Sequence, residues 1–596
     1  MADSPLLSSE GVFEFHLFCD GKELSSEYAL LSADIDFRLN SVPRATLIIE
    51  DGSMPEGKFP LSDSDLLKPG CTVKVTAGYA LKPVAVFTGV VVRHGVSIGR
   101  DGVSSLKVEC RDKAIALTCG RRNANFLNKS DDDVIKGIAG KYGLSVSSAM
   151  GSAVHKELLQ YYCSDWDFIL TRAEVNGCWV RIKDGKVFVE KIKPYGSAEV
   201  SLTWGTDIIR FKADADASYQ MKKVKARAWD LAKLDVASAD ASSDSFIKQG
   251  NLDGGTLAKA LSLEDSVLQA GIPLATDSLK AWAVAEQAKN ELSRIRGAVT
   301  CIGTPKVEIG GVVELHGVGD RFNGSALVSG VSHHMKAGRW ETDINFGMDK
   351  EWFVESFRTE APLASGLNCG VNGLLPGIVT KLDGDPEKQN RIQVKIPLMQ
   401  SETEGVWARL GAPYASKGIG NFFLPEIGDE VILGFFNADP SCPVILGSLY
   451  SSGRNMPEEI KAENEIKKFI SRSKLTVEFD EKKKSISFKT PGERSFVMND
   501  DDKSITVSDK DGNKLVISDK GISMTSPKDI SLSAKGKVSI EATGEVSLNS
   551  VSGDIKADGK NVKLSAKMSF SAQGNATAEL SSSGQAKVKG AMVMIN

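Results

Sequence analysis

Three short stretches hold residue types and spacings that could do chemistry. His333 and His334 are adjacent, LPEIGDE (424–430) places three carboxylates within seven residues, and SDKDGNK (508–514) spaces oxygen donors as a cation loop does. A zinc site needs several His, Cys or carboxylate ligands converging on one point. Adjacent strand residues point to opposite faces, and no HExxH or Cys/His cluster stands near the pair, so a structural role is expected for both histidines. The 508–514 stretch lacks the glycine at the sixth position and the glutamate at the twelfth that a calcium loop uses, and reads as an Asp-Gly hairpin turn. The acidic heptapeptide suits a turn at a barrel edge. GxxxxGK[ST], a GxGxxG in a βαβ context and the GxSxG elbow are all missing, so nucleotide and hydrolase chemistry lack support. Catalytic, cofactor-binding and metal-ligating residues, and with them any cofactor, are therefore expected to be absent, and the chain is expected not to be an enzyme.

The elements that carry these residues belong to a long, mixed chain. Its 596 residues exceed one core and suggest several domains. Hydrophobic residues make up 41% and charged residues 25%, with 73 basic against 77 acidic side chains, so charge asks for neither nucleic acid nor an anionic membrane. Nine cysteines run from Cys19 to Cys442 without CxxC pairing, which suggests reduced, buried thiols. The amino terminus lacks a basic region followed by a long apolar stretch, so cytoplasmic synthesis without a Sec signal peptide is expected. No apolar run approaches the roughly 18 residues that span a bilayer.

Residues 11–125 read as short alternating strands, among them FEFHLF (13–18), RATLIIE (44–50), TVKVTAGY (72–79) and VFTGVVV (86–92), packed as a barrel or sandwich. Two helices are predicted in 131–176, each behind a Ser/Asp cap, and a third over 277–297. Five strands between 374 and 450 suit a small closed barrel of the OB type. The domain reading is 1–365, then 370–452 for the OB barrel, a linker at 453–470, and a repetitive tail at 471–596. The fold class is mainly β with a few helices.

The tail carries an octad. Ile522, Ile530, Val538, Val546, Asp554, Val562, Phe570, Ala578, Ala586 and Met594 stand eight apart, and nine of these ten are apolar. Two residues on come Leu532, Ile540, Leu548 and Leu564. Apolar residues at i and i+2 share one strand face, and Gly, Asp and Asn between the units let the chain turn. The expected product is a stack of short strands about an apolar axis. Either one chain coils alone or three wind together, and winding also hides the strand edges. The axis residues would be Ile530, Leu532, Val538, Ile540, Val546, Leu548, Val562 and Leu564. The break at Asp554/Lys556 is repaired by a one-residue slip to Ile555 and Ala557.

The stretch VWARLGAPYASKGIGNFFLPEIGDEVILGFFNADPSCPVILGSLY (406–450) resembles the OB-fold signature of VgrG spike proteins through Trp407, Ala408, Arg409, Pro413, Gly420, Leu424, Pro425, Glu426, Gly428, Asp429, Glu430, Val431, Asp439, Pro440, Pro443 and Gly447. ALVSGVSHHMKAGRWETDINFG and YYCSDWDFILTRAEVNG are similar to parts of the phage late-control-D baseplate hub module. The resemblance implies hub β-barrels, an OB barrel and a C-terminal intertwined triple-stranded β-helix. It further implies a homotrimeric central spike of a contractile injection machine, either type VI secretion or an extracellular phage-tail-like particle. Such a spike would work with a hexameric tube protein, baseplate proteins, effectors and a PAAR-like tip protein, would touch the target membrane transiently, and would leave the cell in the particle. A spike-associated lytic enzyme is the alternative. Gly590, Ala591, Met592, Val593, Met594, Ile595 and Asn596 end the tail in an apolar run expected to receive the tip protein.

Overall fold

The computed structural model describes residues 2–9, 11–80, 82–100, 102–151, 153–193, 197–242, 246–263, 265–357, 360–399 and 405–595. It comprises two compact units, Met1–Leu449 and Tyr450–Asn596. Among the described residues no helix is long and apolar enough to cross a membrane.

Alternation of side chains builds the first unit. In Arg44–Glu50, Ala45, Leu47 and Ile49 are buried while the end residues are exposed, the period of two expected of a half-buried strand. This strand lies in a sheet of thirteen. The sheet is not confined to the first 125 residues: Leu30–Arg38 pairs on one side with Arg44–Glu50 and on the other with Gly324–Lys336. Ser332 Oγ donates to Asp36, 296 positions away, at 2.7 Å. The N-terminal strands therefore continue directly into strands of residues 208–346, which cover a second core around Trp179, Val299, Ile344 and Phe346.

The two helices predicted in 131–176 are Asp131–Gly140 and Asp165–Val175. Ser130 Oγ accepts the Asp133 amide at 3.2 Å while the Asp133 carboxylate reaches back, forming a capping box. Ser164 caps the second helix through the Asp167 amide at 3.0 Å. Asp131 and Arg172 lash the two helices together: Arg172 Nε and Nη2 donate at 2.6 and 2.9 Å, and Asn176 adds a third bond at 2.9 Å. Burial pushes the Asp131 carboxyl up, but Arg172, His155 and Asn176 outweigh it and hold the group below its usual range. The third helix is Thr276–Ser293 and ends earlier than the predicted 297, because Ile295–Ile302 is a strand of the large sheet. On it, buried Lys289 meets Glu174 at 2.9 Å, Glu286 at 3.3 Å and Glu355 at 3.0 Å, joining three segments distant in the chain.

Leu375–Lys381, Ile392–Lys395, Val406–Leu410, Glu430–Phe435 and Pro443–Ser448 close into a five-stranded barrel. Its core is Val379, Ile392, Val394, Ala408, Val431, Leu433 and Ile445. The expectation of buried thiols holds for five cysteines. Cys163 is half-buried, and Cys119, Cys369 and Cys442 are exposed because they lie in loops rather than on core-facing strand positions.

In the second unit, seven strands of five residues run from Ile466–Ile470 to Gly521–Thr525 as an antiparallel meander. The repetitive tail read from residue 471 therefore opens as this meander, and its octad series starts at Ile522, in the last strand. Between those limits tight turns reverse the chain, with Lys474, Lys484, Lys503 and Gly512 at positive φ. Beyond Thr525 the described residues contain no strand.

Candidate functional site

Register places the apolar side chains of the meander in two rows. Phe469 stands opposite Val477, which stands opposite Phe488, and the row continues through Phe496, Val507 and Leu515 to Met524. A second row runs Phe479, Ile486, Met498, Ile505, Ile517, Ile522. Members of the two rows on one strand are two residues apart, so both rows lie on one face. The reverse face is mixed: its central column runs Lys468, Glu478, Ser487, Val497, Thr506, Val516 and Ser523, with Lys468 Nζ 3.1 Å from Glu478.

The rows end at Ile522 and Met524, the first apolar–Ser–apolar unit of the octad, so face and octad form one continuous pattern along the chain. Each octad residue named for the axis is uncovered: Ile530, Leu532, Val538, Ile540, Val546, Leu548, Val562 and Leu564 are between 51% and 76% exposed. At the slip, Asp554 and Lys556 pair at 3.2 Å, and Ile555 between them is exposed. In the terminal run Gly590 and Ala591 are exposed, as are Met592, Val593, Met594 and Ile595 at 49% to 91%; Asn596 lies outside the described residues. Covering one such side chain contributes roughly 1.5–3 kcal/mol, so an assembly that buries the rows and the octads gains many such increments.

The residues singled out for chemistry are held in structural roles. His333 is buried, and its Nδ1 accepts from Trp340 Nε1 at 3.3 Å and from Thr342 Oγ1 at 3.0 Å. Burial, aided by neighbouring His334, lowers its pKa to about 4, so the ring is neutral. His334 faces the other way, exposed, with Asp34 at 2.7 Å and Asp343 at 3.3 Å. In LPEIGDE, the Asp429 carboxylate accepts the Glu426 amide at 2.8 Å and the Asp429 amide returns to the Glu426 carbonyl at 3.0 Å, which is a turn. Asp509 accepts the amides of Asp511 and Asn513 at 2.9 and 3.0 Å, tying the hairpin read at 508–514. The meander rows escaped the sequence reading. Their signal is strict alternation with turns nine or ten residues apart, which an eight-residue template does not register.

Residues 375–450 match the type VI secretion system/phage-baseplate injector OB domain, and residues 485–555 match the phage baseplate V C-terminal trimerisation domain. The barrel and the tail with its uncovered apolar face thus define a VgrG-type spike protein. Residues 9–337, more than half of the chain, match the Alg8 N-terminal domain, and the chain belongs to that family. Among relatives, spike protein VgrG1a of Pseudomonas aeruginosa is 27% identical over 195 residues, 30% of this chain and 28% of that protein. VgrG3 of Vibrio cholerae is 31% identical over 71 residues, 11% of this chain and 7% of that protein. The chain thus matches less than a third of the length of these curated relatives. An E. coli component of the type VI secretion system, described as similar to T4 tail proteins gp27 and gp5, aligns with TM-score 0.35 and 14% identity over 73% of this chain and 99% of its own.

Proposed function

We propose that this chain is the homotrimeric central spike of a contractile injection machine, a mechanical part with no active site that punctures a target envelope. The observation that carries the reading is the face of Ile466–Thr525 that holds two unbroken apolar rows, continued by octads whose apolar residues are all exposed in one chain. A lone chain leaves that surface in water, whereas three chains related by a threefold axis offer it to one another and hide the strand edges. The match of residues 485–555 to a trimerisation domain supports three as the number.

On this reading residues 1–365 are the hub that seats on a hexameric tube and baseplate, 370–452 the OB collar, 453–470 a linker and 471–596 the needle. Gly590–Asn596 receive a separate PAAR-like tip protein, for which methionines make an adaptable surface, and effectors travel with the spike or its tip. Assembly is cytoplasmic and delivery is outside the cell. Light scattering of the purified chain tests the reading: a mass of three chains that persists in moderate denaturant is expected, and a clean monomer overturns it.

A further inference from the structure

Cys19 ends the strand Phe13–Cys19, and Cys71 directly precedes its antiparallel neighbour Thr72–Tyr79, in which Val73 stands opposite Cys19. Residues two apart along a strand share a face, so Cys71 is the diagonal neighbour of Cys19. Both thiols are buried, at 2% and 5% exposure. Asp20 opens the following turn with φ 47, and its Oδ1 accepts the Thr72 amide at 2.8 Å. The two sulfurs and an Asp20 carboxylate oxygen all lie within 4.8 Å of one another.

That spacing suits an ion more than a covalent bond. Diagonal cross-strand positions set Cα atoms about 7–8 Å apart, beyond the usual disulfide range of about 4.4–6.8 Å. Zinc binds sulfur at about 2.3 Å and carboxylate oxygen at about 2.0–2.2 Å, so three donors already this close reach one ion by small side-chain rotations. Burial, and after it Asp20 and Cys19, push the Cys71 thiol up to about 11, and it donates to the Asp65 carbonyl at 3.6 Å, so a bound ion takes the place of that proton. Leu67, fully buried and held at φ 58, donates its amide to Cys19 Sγ at 3.3 Å; amide bonds of this kind orient ligand sulfurs and tune the metal. Two thiolates with one carboxylate select a zinc-like ion over magnesium or calcium.

We propose that Cys19, Cys71 and Asp20 bind one borderline-soft divalent cation of the zinc class, with water in the fourth position on the exposed Asp20 side. The ion pins the Asp20–Gly21 turn and the loop before Cys71 to the edge of the large sheet.

The test uses the full chain, reduced and stripped with a chelator, titrated with cadmium alone and read by the ultraviolet thiolate-to-cadmium charge-transfer band. One equivalent per chain is expected to saturate the band. Cys19→Ser and Cys71→Ser each abolish it, Asp20→Asn weakens binding at least about tenfold, and Cys369→Ser in a distant loop leaves it unchanged. Where a serine variant fails to fold, alkylation of the wild-type chain followed by mass spectrometry decides: bound cadmium protects Cys19 and Cys71. Absence of a saturable band, a band that survives both serine variants, or alkylation of both cysteines at the same rate with and without cadmium overturns the site.

Discussion

Phe488 stands directly opposite Phe496 on neighbouring strands, ring centroids 6.0 Å apart and planes tilted by 35°, in the middle of an apolar face that the chain leaves open. The contact between them is already made within one chain, and what remains exposed is the side turned outward. An aspartate at 488 keeps the strand but places a carboxylate where partner chains would close over it. Desolvating such a charge costs several kcal/mol per chain. Phe488→Asp is expected to lower the light-scattering mass from three chains to one, and a variant still at three chains would put the interface elsewhere.

The octad offers a paired control. Val546 and Ser547 are neighbours in the repeat, and the strand period assigns them to opposite faces. Val546→Asp is expected to prevent trimer assembly, because three like charges would meet on the axis, while Ser547→Asp faces water and leaves the mass unchanged. Equal effects of the two substitutions would refute the assigned face.

His333 makes stability depend on pH. Its folded pKa of about 4 lies below the ordinary 6.5 because of burial and the adjacent His334. Above pH about 6.5 both states are neutral and the contribution is complete; as pH falls toward about 4 the unfolded imidazole takes a proton that the folded one refuses, and roughly 3 kcal/mol is lost. His333→Gln is expected to be less stable than the wild type at pH 7 and to show a flatter decline between pH 6.5 and 4.5 in denaturant titrations. Parallel curves for the two proteins would show that another group drives the acid loss.

Arg172 neutralises a carboxylate that the fold has buried. Removing it as Arg172→Met leaves the buried Asp131 with His155 and Asn176 but without its guanidinium, at a cost of up to roughly 3–5 kcal/mol, whereas the double change Arg172→Met with Asp131→Asn costs less. Asp131 titrates below its usual range, so its contribution is present above its unfolded pKa near 4 and is lost as pH falls further. Urea midpoints at pH 7 for the single and double variants check the order, and a double variant weaker than the single one would contradict it.

Deleting residues 590–596 is expected to leave the trimer mass intact while abolishing co-purification of a PAAR-like tip protein and injection. Unaltered tip binding and delivery by the truncated chain would assign the apolar end to plugging the needle instead.

Much of this molecule is legible along the chain because the deciding interactions are local. Ser130 and Ser164 cap their helices through residues three positions on, Asp509 ties its hairpin through Asp511 and Asn513, and the alternation of Ala45, Leu47 and Ile49 already separates core from water. The opposite facing of His333 and His334 follows from strand geometry alone. Likewise the apolar–Ser–apolar octad and the OB stretch at 406–450 declare themselves through spacing and residue type.

Only the tertiary structure decides what meets across distance. The joining of Leu30–Arg38 to Gly324–Lys336 is a choice of register between strands that any alternating pair satisfies equally well in sequence, and it is settled by which faces can be buried together. The same holds for Lys289, where Glu174 and Glu355 from two other segments converge on a buried cation whose only local partner among the three is Glu286. Cys19 and Cys71, 52 positions apart with no motif between them, become neighbours through the pairing of Cys19 with Val73. Residue types and periods determine which side of each element seeks cover; the free energy of closing long loops and burying whole faces at once, summed over the fold, determines which partner provides it.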